Sequence, residues 1–296
     1  MTQSRRLVLD APAKVNLYLH VTGRRADGYH TLDSLVAFAA TGDRISAEPA
    51  NELSLEIGGP FAPSLDAGDD NLVMRAARAL RKASGSDRGA RLRLDKFLPV
   101  ASGIGGGSAD AAAALRLLCA LWELPPDDAR LHEIALGLGA DVPVCLAGRP
   151  AIMSGIGETV TPVRALPPCG VVLVNAREPV PTPSVFRARK GAFSEAQEWR
   201  TPTRTDGLMQ ALSACRNDLT RAAISVSPAI ADVLAAIEAL DGCRIARLSG
   251  SGGTCFGLFD DTAAAVSAGK VLAEDRPGWW VSATAFLSES PSIAED

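Results

Sequence analysis

The chain has 296 residues, 47% of them hydrophobic. At roughly 150 residues per domain this points to two domains with sizeable buried cores, and it excludes an intrinsically disordered chain. Thirty Lys and Arg against 34 Asp and Glu leave a formal charge of −4, so the chain lacks the basic footprint that grips a nucleic-acid backbone, and any polyanion it binds is small.

No stretch reaches the roughly 18 consecutive apolar residues of a membrane span. Ser4, Arg5 and Arg6 imitate a twin-arginine export signal, but Asp10 and Lys14 interrupt the apolar stretch that would have to follow. Six cysteines (Cys119, Cys145, Cys169, Cys215, Cys243, Cys255) are widely spaced and lie mostly in apolar runs, as reduced core thiols do. A cytoplasmic protein is expected. The three histidines, His20, His30 and His132, have no metal-ligand spacing, so neither a protein-held metal nor a histidine-dependent triad is expected.

Along the chain, Ala13 to Val21 (AKVNLYLHV) alternates strictly and predicts one half-buried strand with Lys14, Asn16, Tyr18 and His20 on a polar face. GRRADGYH, from Gly23 to His30, holds a turn at Asp27-Gly28. An apolar run from Leu32 to Ala40 and strand-like pieces at Arg44–Ala47 and Leu53–Ile57 follow, then an amphipathic helix over Leu72–Lys82 and a strand over Ala90–Leu94. PVASGIGGGSADAAAALRLLCALWEL reads as a glycine loop opening a buried helix that stops at Pro125-Pro126. A second helix covers about Ala129–Leu136, with Gly137 and Gly139 as C-cap-like stops before Ala140-Asp141-Val142-Pro143.

Beyond about Pro162 the pattern restarts with a strand at Val171–Val174 and a Pro-rich loop around Pro181-Thr182-Pro183. Residues 187 to 207 are charged and aperiodic, a mobile excursion. An amphipathic helix over Pro228–Leu240 precedes strands Arg244–Leu248 and Thr254–Phe259 around the turn SGSGG. A helix at Thr262–Glu274, a strand at Trp279–Phe286 and a frayed acidic tail from Ser288 complete the chain. Helices alternating with strands, with a hairpin in the second half, give an α+β fold with domains over 1–162 and 163–296.

Three features carry chemistry. Gly103 to Ser108 (GIGGGS) removes side chains so that backbone N–H groups can approach an anion, and the following helix adds its positive end; a phosphate chain suits it. It is no Walker A motif, since no Gly-Lys-Ser/Thr follows. A dinucleotide fold would need an acidic residue at the end of a second strand about 20 positions on; Glu123 instead ends a helix, which demotes an oxidoreductase. Asp141, framed by Gly139 and Pro143, is either a general base or a helix N-cap. Lys14, in a strand otherwise built for burial, calls for an anionic partner unless its face is solvated, and Asn16 shares that face.

AKVNLYLHVTGRRADGYH, PVASGIGGGSADAA, GADVPV and LSGSGGTCFGLF occur in the order found in the galactokinase, homoserine kinase, mevalonate kinase and phosphomevalonate kinase (GHMP) superfamily, which the chain resembles from Ala11 to about Phe286. GRRADGYH together with GGGSADAA resembles its branch acting on a cytidine diphosphate-linked methylerythritol. The resemblance implies an N-terminal ribosomal S5 domain 2-like domain, a ferredoxin-like C-terminal domain, and ATP-dependent phosphorylation of a 2-hydroxyl in isoprenoid-precursor synthesis. It implies that Pro99, Val100, Ala101, Ser102, Gly103, Ile104, Gly105, Gly106, Gly107, Ser108 and Ala109 hold the ATP phosphates, with Mg²⁺ bridging them and the Ser108 hydroxyl assisting. Asp141 would be the base and Lys14 its charged partner, Asn16 would lie near the reacting hydroxyl, and Tyr29, His30 and Phe186, with Thr182, would hold the cytosine. Asn71 and Lys96 are candidate adenine contacts. Ile104 stands where Leu is usual, and Gly253 where Pro or Ala is common. A non-catalytic ligand sensor on the same fold would need neither Lys14 nor Asp141, and another acceptor within the superfamily would need no cytosine stack.

Overall fold

A computed structural model describes residues 5–125 and 128–296; Ser4 of the arginine motif and Pro126 of the predicted helix stop lie outside them. The first half contains β1 (Leu7–Asn16), β2 (His20–Arg24), β3 (His30–Ala50), β4 (Leu53–Gly58), α1 (Leu72–Ser84), β5 (Gly89–Asp95), α2 (Gly106–Leu121), α3 (Asp128–Leu138), α4 (Val142–Ala147), β6 (Ala151–Gly155) and β7 (Thr159–Pro162). The second half contains β8 (Gly170–Asn175), α5 (Thr182–Ala188), α6 (Thr205–Ser213), α7 (Thr220–Val226), α8 (Ala229–Glu238), β9 (Ile245–Leu248), β10 (Thr254–Phe259), α9 (Thr262–Asp275), β11 (Trp280–Ala285) and β12 (Ala294–Glu295).

Two sheets result. One runs β12-β1-β3-β5-β4, with β2 and β6 also on β3 and β7 on β6; the other runs β11-β8-β10-β9. Among the described strand pairs β4 with β5 is parallel and the others are antiparallel. Helices α1 and α2 cover one face of the first sheet, around Leu9, Phe38, Leu92, Leu115 and Leu118. Between the sheets, Val15, Leu17 and Leu35 pack with Val171, Leu173 and Phe256, so the two halves share apolar core.

The expected strand Ala13–Val21 is two strands, broken after Asn16, and its polar face is not solvated. Lys14, Asn16, Tyr18 and His20 are all buried: the glycine loop and Asp141 close over Lys14, while Ser249, Trp199 and Arg216 of the second half meet Asn16, Tyr18 and His20. The separate pieces expected at Leu32–Ala40 and Arg44–Ala47 are one 21-residue strand, β3. Residues 182–188, read as loop, form α5, with Pro183 in the first turn, where a missing N–H costs nothing. Gly139 follows α3 and Gly137 lies within it, and neither has the positive φ of a left-handed cap.

Two segments expected to be loose are tied down. In the 187–207 region, Ser194 N–H donates to the Val21 carbonyl at 2.9 Å, Gln197 N–H donates to Asp33 at 2.8 Å, and Trp199 packs against Tyr18. The tail after Ser288 returns to the first sheet: half-buried Arg116 donates to Ser290 Oγ at 2.8 Å and to the Pro291 carbonyl at 2.7 Å, and β12 pairs with the edge of β1. Acidic composition signals solvation, but an unpaired sheet edge and an arginine reaching out of α2 supply partners that composition does not reveal.

Candidate active site

A cleft of about 1180 Å³ runs between the halves and brings together most of the predicted site. One wall is the glycine loop. Gly103 (φ 74°) and Gly105 (φ 64°) take left-handed conformations that disfavour a side chain; at Gly103 space excludes one as well, since a Cβ would lie 2.5 Å from the Gly252 carbonyl oxygen, while one on Gly105 would press on the stem of Lys14 at 3.1 Å. The loop delivers the chain into α2, sixteen residues whose alanines let it pack deeply against β1 and β3. The N-terminal N–H groups of α2 thus lie at the cleft wall, a ready anion site. Pro99, Val100, Ala101, Ser102, Gly103, Gly105, Gly106, Gly107 and Ser108 line the cleft; Ile104 and Ala109 do not, their side chains being buried in core.

The SGSGG turn between β9 and β10, a weak signal in the sequence, fastens this loop. Ser249 Oγ donates to the Gly103 carbonyl at 3.1 Å and accepts from Asn16 N–H at 3.1 Å, and Thr254 N–H donates to the Ser102 carbonyl at 2.9 Å.

Lys14 is reached through a bulge. The β1–β3 register shifts between Pro12 and Lys14, and the freed Lys14 N–H donates to the Ile104 carbonyl at 2.9 Å. Its ammonium, 3% exposed, lies 3.1 Å from Asp141 Oδ2 and donates to Asn16 Oδ1 at 2.7 Å. Asn16 is oriented in turn by Ser34 Oγ, to which its amide donates at 2.7 Å. Asp141 occupies the N-cap position of α4 but makes no capping hydrogen bond. Its carboxylate turns to Lys14 and stays about one-third exposed to the cleft, so it does not serve as the helix cap that the sequence also allowed. A carboxylate fixed by a buried ammonium and open to a ligand can accept a proton from a hydroxyl.

At the other end Tyr29, His30, Thr182 and Phe186 line the cleft. Tyr29 is 63% exposed, while the His30 and Phe186 rings stack with centroids 5.2 Å apart. Burial, and secondarily Arg24 and Arg189, push the His30 imidazole below its ordinary pKa, so at neutral pH it is a neutral ring. Thr182 Oγ1 lies 2.8 Å from Ser251 Oγ, joining α5 to the second glycine turn.

A buried charge cluster under the loop was not read from the sequence. Lys96 Nζ donates to Asp43 Oδ2 at 2.5 Å and to Asp110 Oδ2 at 2.7 Å, and Asp43 Oδ1 accepts from the Phe97 and Leu98 N–H groups. The Lys96 ammonium is therefore committed to carboxylates rather than free for an adenine. Asn71 caps α1 through Val73 N–H and also reaches the cleft wall. The missed signal is Asp110 itself, an acid within an alanine-rich buried helix. Burial, together with the Asp43 charge, outweighs Lys96 and pushes its pKa up to about 8.

Residues 71–149 match the GHMP kinases N terminal domain and residues 203–275 the GHMP kinases C terminal domain. A 4-diphosphocytidyl-2-C-methyl-D-erythritol kinase of Paramagnetospirillum magneticum is 52% identical over 281 residues, covering 95% of this chain and 98% of its own. The chain belongs to the 4-diphosphocytidyl-2-C-methyl-D-erythritol kinase family of GHMP kinases. The Rhodospirillum rubrum kinase of the same name is 50% identical, with 96% of this chain and 93% of its own covered. A crystal structure of 4-(cytidine 5'-diphospho)-2C-methyl-D-erythritol kinase superposes with TM-score 0.77 at 36% identity over 94% of this chain and 98% of its own. Homoserine kinase from Cytophaga hutchinsonii, 15% identical with TM-score 0.74 over 99% of this chain and 98% of its own, shares the fold. The α+β expectation holds as the two-domain GHMP kinase fold, and the enzyme is an ATP-dependent kinase. No helix of the described residues is long and apolar enough to cross a membrane.

Proposed function

We propose that this kinase transfers the γ-phosphoryl group of ATP to the 2-hydroxyl of 4-diphosphocytidyl-2-C-methyl-D-erythritol in isoprenoid-precursor synthesis, with Asp141 as general base and Lys14 as its charged partner. The names of the relatives support the substrate. The observation that carries the mechanism is the pairing of a 3%-exposed Lys14 ammonium with Asp141, 3.1 Å apart on the wall of a cleft that also holds the glycine loop.

Phosphoryl transfer asks a protein mainly for positioning and charge neutralisation. The loop from Pro99 to Ser108 and the first turn of α2 cradle the phosphates of ATP. Asp141 takes the proton of the attacking hydroxyl, Lys14 stabilises the negative charge that develops there, and Asn16, held by Ser34, orients the acceptor beside them. Phe186, backed by His30, and the exposed Tyr29 offer ring faces to the cytosine, with Thr182 beside them. Mg²⁺ would be held chiefly by the ATP phosphates, with the Ser108 hydroxyl at the start of α2 on the cleft wall as the side chain that would reach it. When bound, Mg²⁺ supplies neutralisation of the β- and γ-phosphate oxygens. The same proposal divides the chain at about residue 162, after β7 and before β8.

The test is ADP release with Mg-ATP and each of four acceptors: the cytidyl substrate, homoserine, mevalonate and galactose. Turnover of the cytidyl substrate alone, lost in Asp141→Ala, is expected. Turnover of another acceptor instead would refute the substrate, and ATP binding with no turnover of any acceptor would favour a sensor.

A further inference from the structure

The acceptor proposed above carries an ionised diphosphate between base and polyol, and no residue assigned so far neutralises it. Lys14 is committed to Asp141 and Asn16. At the aromatic end of the cleft three arginines reach the wall: Arg24 ends β2, Arg187 lies in the last turn of α5, and Arg189 follows it. None of the three forms an ion pair among the described residues, whereas neighbouring Arg25 is paired with Asp27 at 2.9 Å.

Their hydrogen bonds are to neutral groups. Arg24 Nε donates to the Gly28 carbonyl at 3.2 Å and Arg187 Nη2 to Ser184 Oγ at 3.2 Å. Arg189 is the most constrained. It donates to the carbonyls of Gly191 and Ala192, its guanidinium lies over the Phe193 ring at 4.8 Å, and its Nε–H is buried without a partner. Arg24 and Arg189 lie close enough to His30 to lower its proton affinity. Unbalanced positive charge from two separate elements, Arg24 and Arg189, thus converges on His30, where the cytosine is to stack.

We propose that Arg24, Arg187 and Arg189 form a rim that binds the diphosphate of the acceptor, a subsite distinct from the ATP phosphate loop. It rests on the cytidyl acceptor reading above. Guanidinium groups suit the task, because their planar N–H pairs match phosphate oxygens and stay charged at every working pH. Arg189, braced by two carbonyls and a ring, supplies the fixed element, and the exposed Arg24 and Arg187 close on the ligand from either side.

The test is inhibition by cytidine and by CDP, each measured against the acceptor at saturating ATP. In the wild type CDP is expected to bind at least about tenfold tighter than cytidine, the gain of one or two charged hydrogen bonds. Arg187→Gln and Arg24→Gln, both surface changes, should each cut that ratio about three- to tenfold, with cytidine inhibition and the KM for ATP held within about twofold. Arg189→Gln should do the same, and Arg189→Lys should recover part of the loss. CDP that competes with an unchanged ratio in all the variants would overturn the rim alone. A weakened ATP site with an intact CDP ratio would overturn it too, by assigning the arginines to the nucleotide. Failure of both cytidine and CDP to compete would instead remove the acceptor reading, and the rim with it.

Discussion

Asp110 gives the sharpest test of how the phosphate loop is supported. Its carboxylate is 2% exposed, Oδ2 accepts from Lys96 and Oδ1 has no partner. With a folded pKa of about 8 against an unfolded value of about 3.9, Asp110 is protonated in the native state and ionised in the unfolded chain across the intervening window. The native state then binds the extra proton, so stability falls as pH rises, by about 1.4 kcal/mol per pH unit. This contribution is complete below about pH 4 and gone above about pH 8, and it amounts to about 3 kcal/mol between pH 5 and pH 7. Asp110→Asn removes the titration while leaving an oxygen for Lys96. Its unpartnered N–H costs about 1–3 kcal/mol, a penalty that does not vary with pH. Thermal melts of the two proteins at pH 5, 6 and 7 should therefore show the variant gaining about 6–12 °C relative to the wild type across that range, at roughly 2–4 °C per kcal/mol. A melting difference constant within about 2 °C would refute the reasoning and mean that Lys96 keeps Asp110 ionised throughout.

Three further outcomes are expected. Asp141→Asn should lower kcat by about 10² to 10⁴ with ATP affinity nearly unchanged in equilibrium binding, and activity within about threefold of the wild type would remove the base. Gly103→Ala, whose Cβ would meet the Gly252 carbonyl oxygen at 2.5 Å from a left-handed backbone, should cost about 1–3 kcal/mol in urea unfolding and raise the KM for ATP. Parent-like values for both would show that the two glycine turns do not constrain each other. Arg116→Met should speed amide exchange in residues 287–296, since it releases Ser290 and Pro291; unchanged protection would place the tail's anchorage in β12.

What the sequence revealed follows from the range of each interaction. The glycine loop and α2 were legible because both are local: glycines without Cβ, then alanine and leucine at helical spacing. Lys14 and Asp141 were legible as residue types out of place, an ammonium in an apolar strand and an acid framed by Gly139 and Pro143, although their contact spans 127 positions of chain. The Asp43, Lys96 and Asp110 cluster was not legible: Asp110 is out of place as an acid in an alanine-rich helix, but nothing local names Asp43 or Lys96 as its partners, and only the fold brings the three together. The anchoring of the 187–207 region was hidden for the same reason: the groups that hold it, Val21, Asp33 and Asp218, come from β2, β3 and the segment before α7.

The alternation of β1 shows where a correct local pattern misleads. Lys14 and Asn16 do share one face, as period two requires, yet that face is covered, because their register partners Phe38 and Val36 belong to the core beneath α1 and α2. Ser249, 233 positions from Asn16, places a single hydroxyl between the Asn16 N–H and the Gly103 carbonyl. The backbone of β1 and that of the glycine loop are thereby fixed by a turn of the second half. The N-terminal half contributes the loop, the ammonium and the carboxylate and joins them through Lys14, whose N–H reaches the Ile104 carbonyl and whose ammonium reaches Asp141; the SGSGG turn adds a second clamp from the other half.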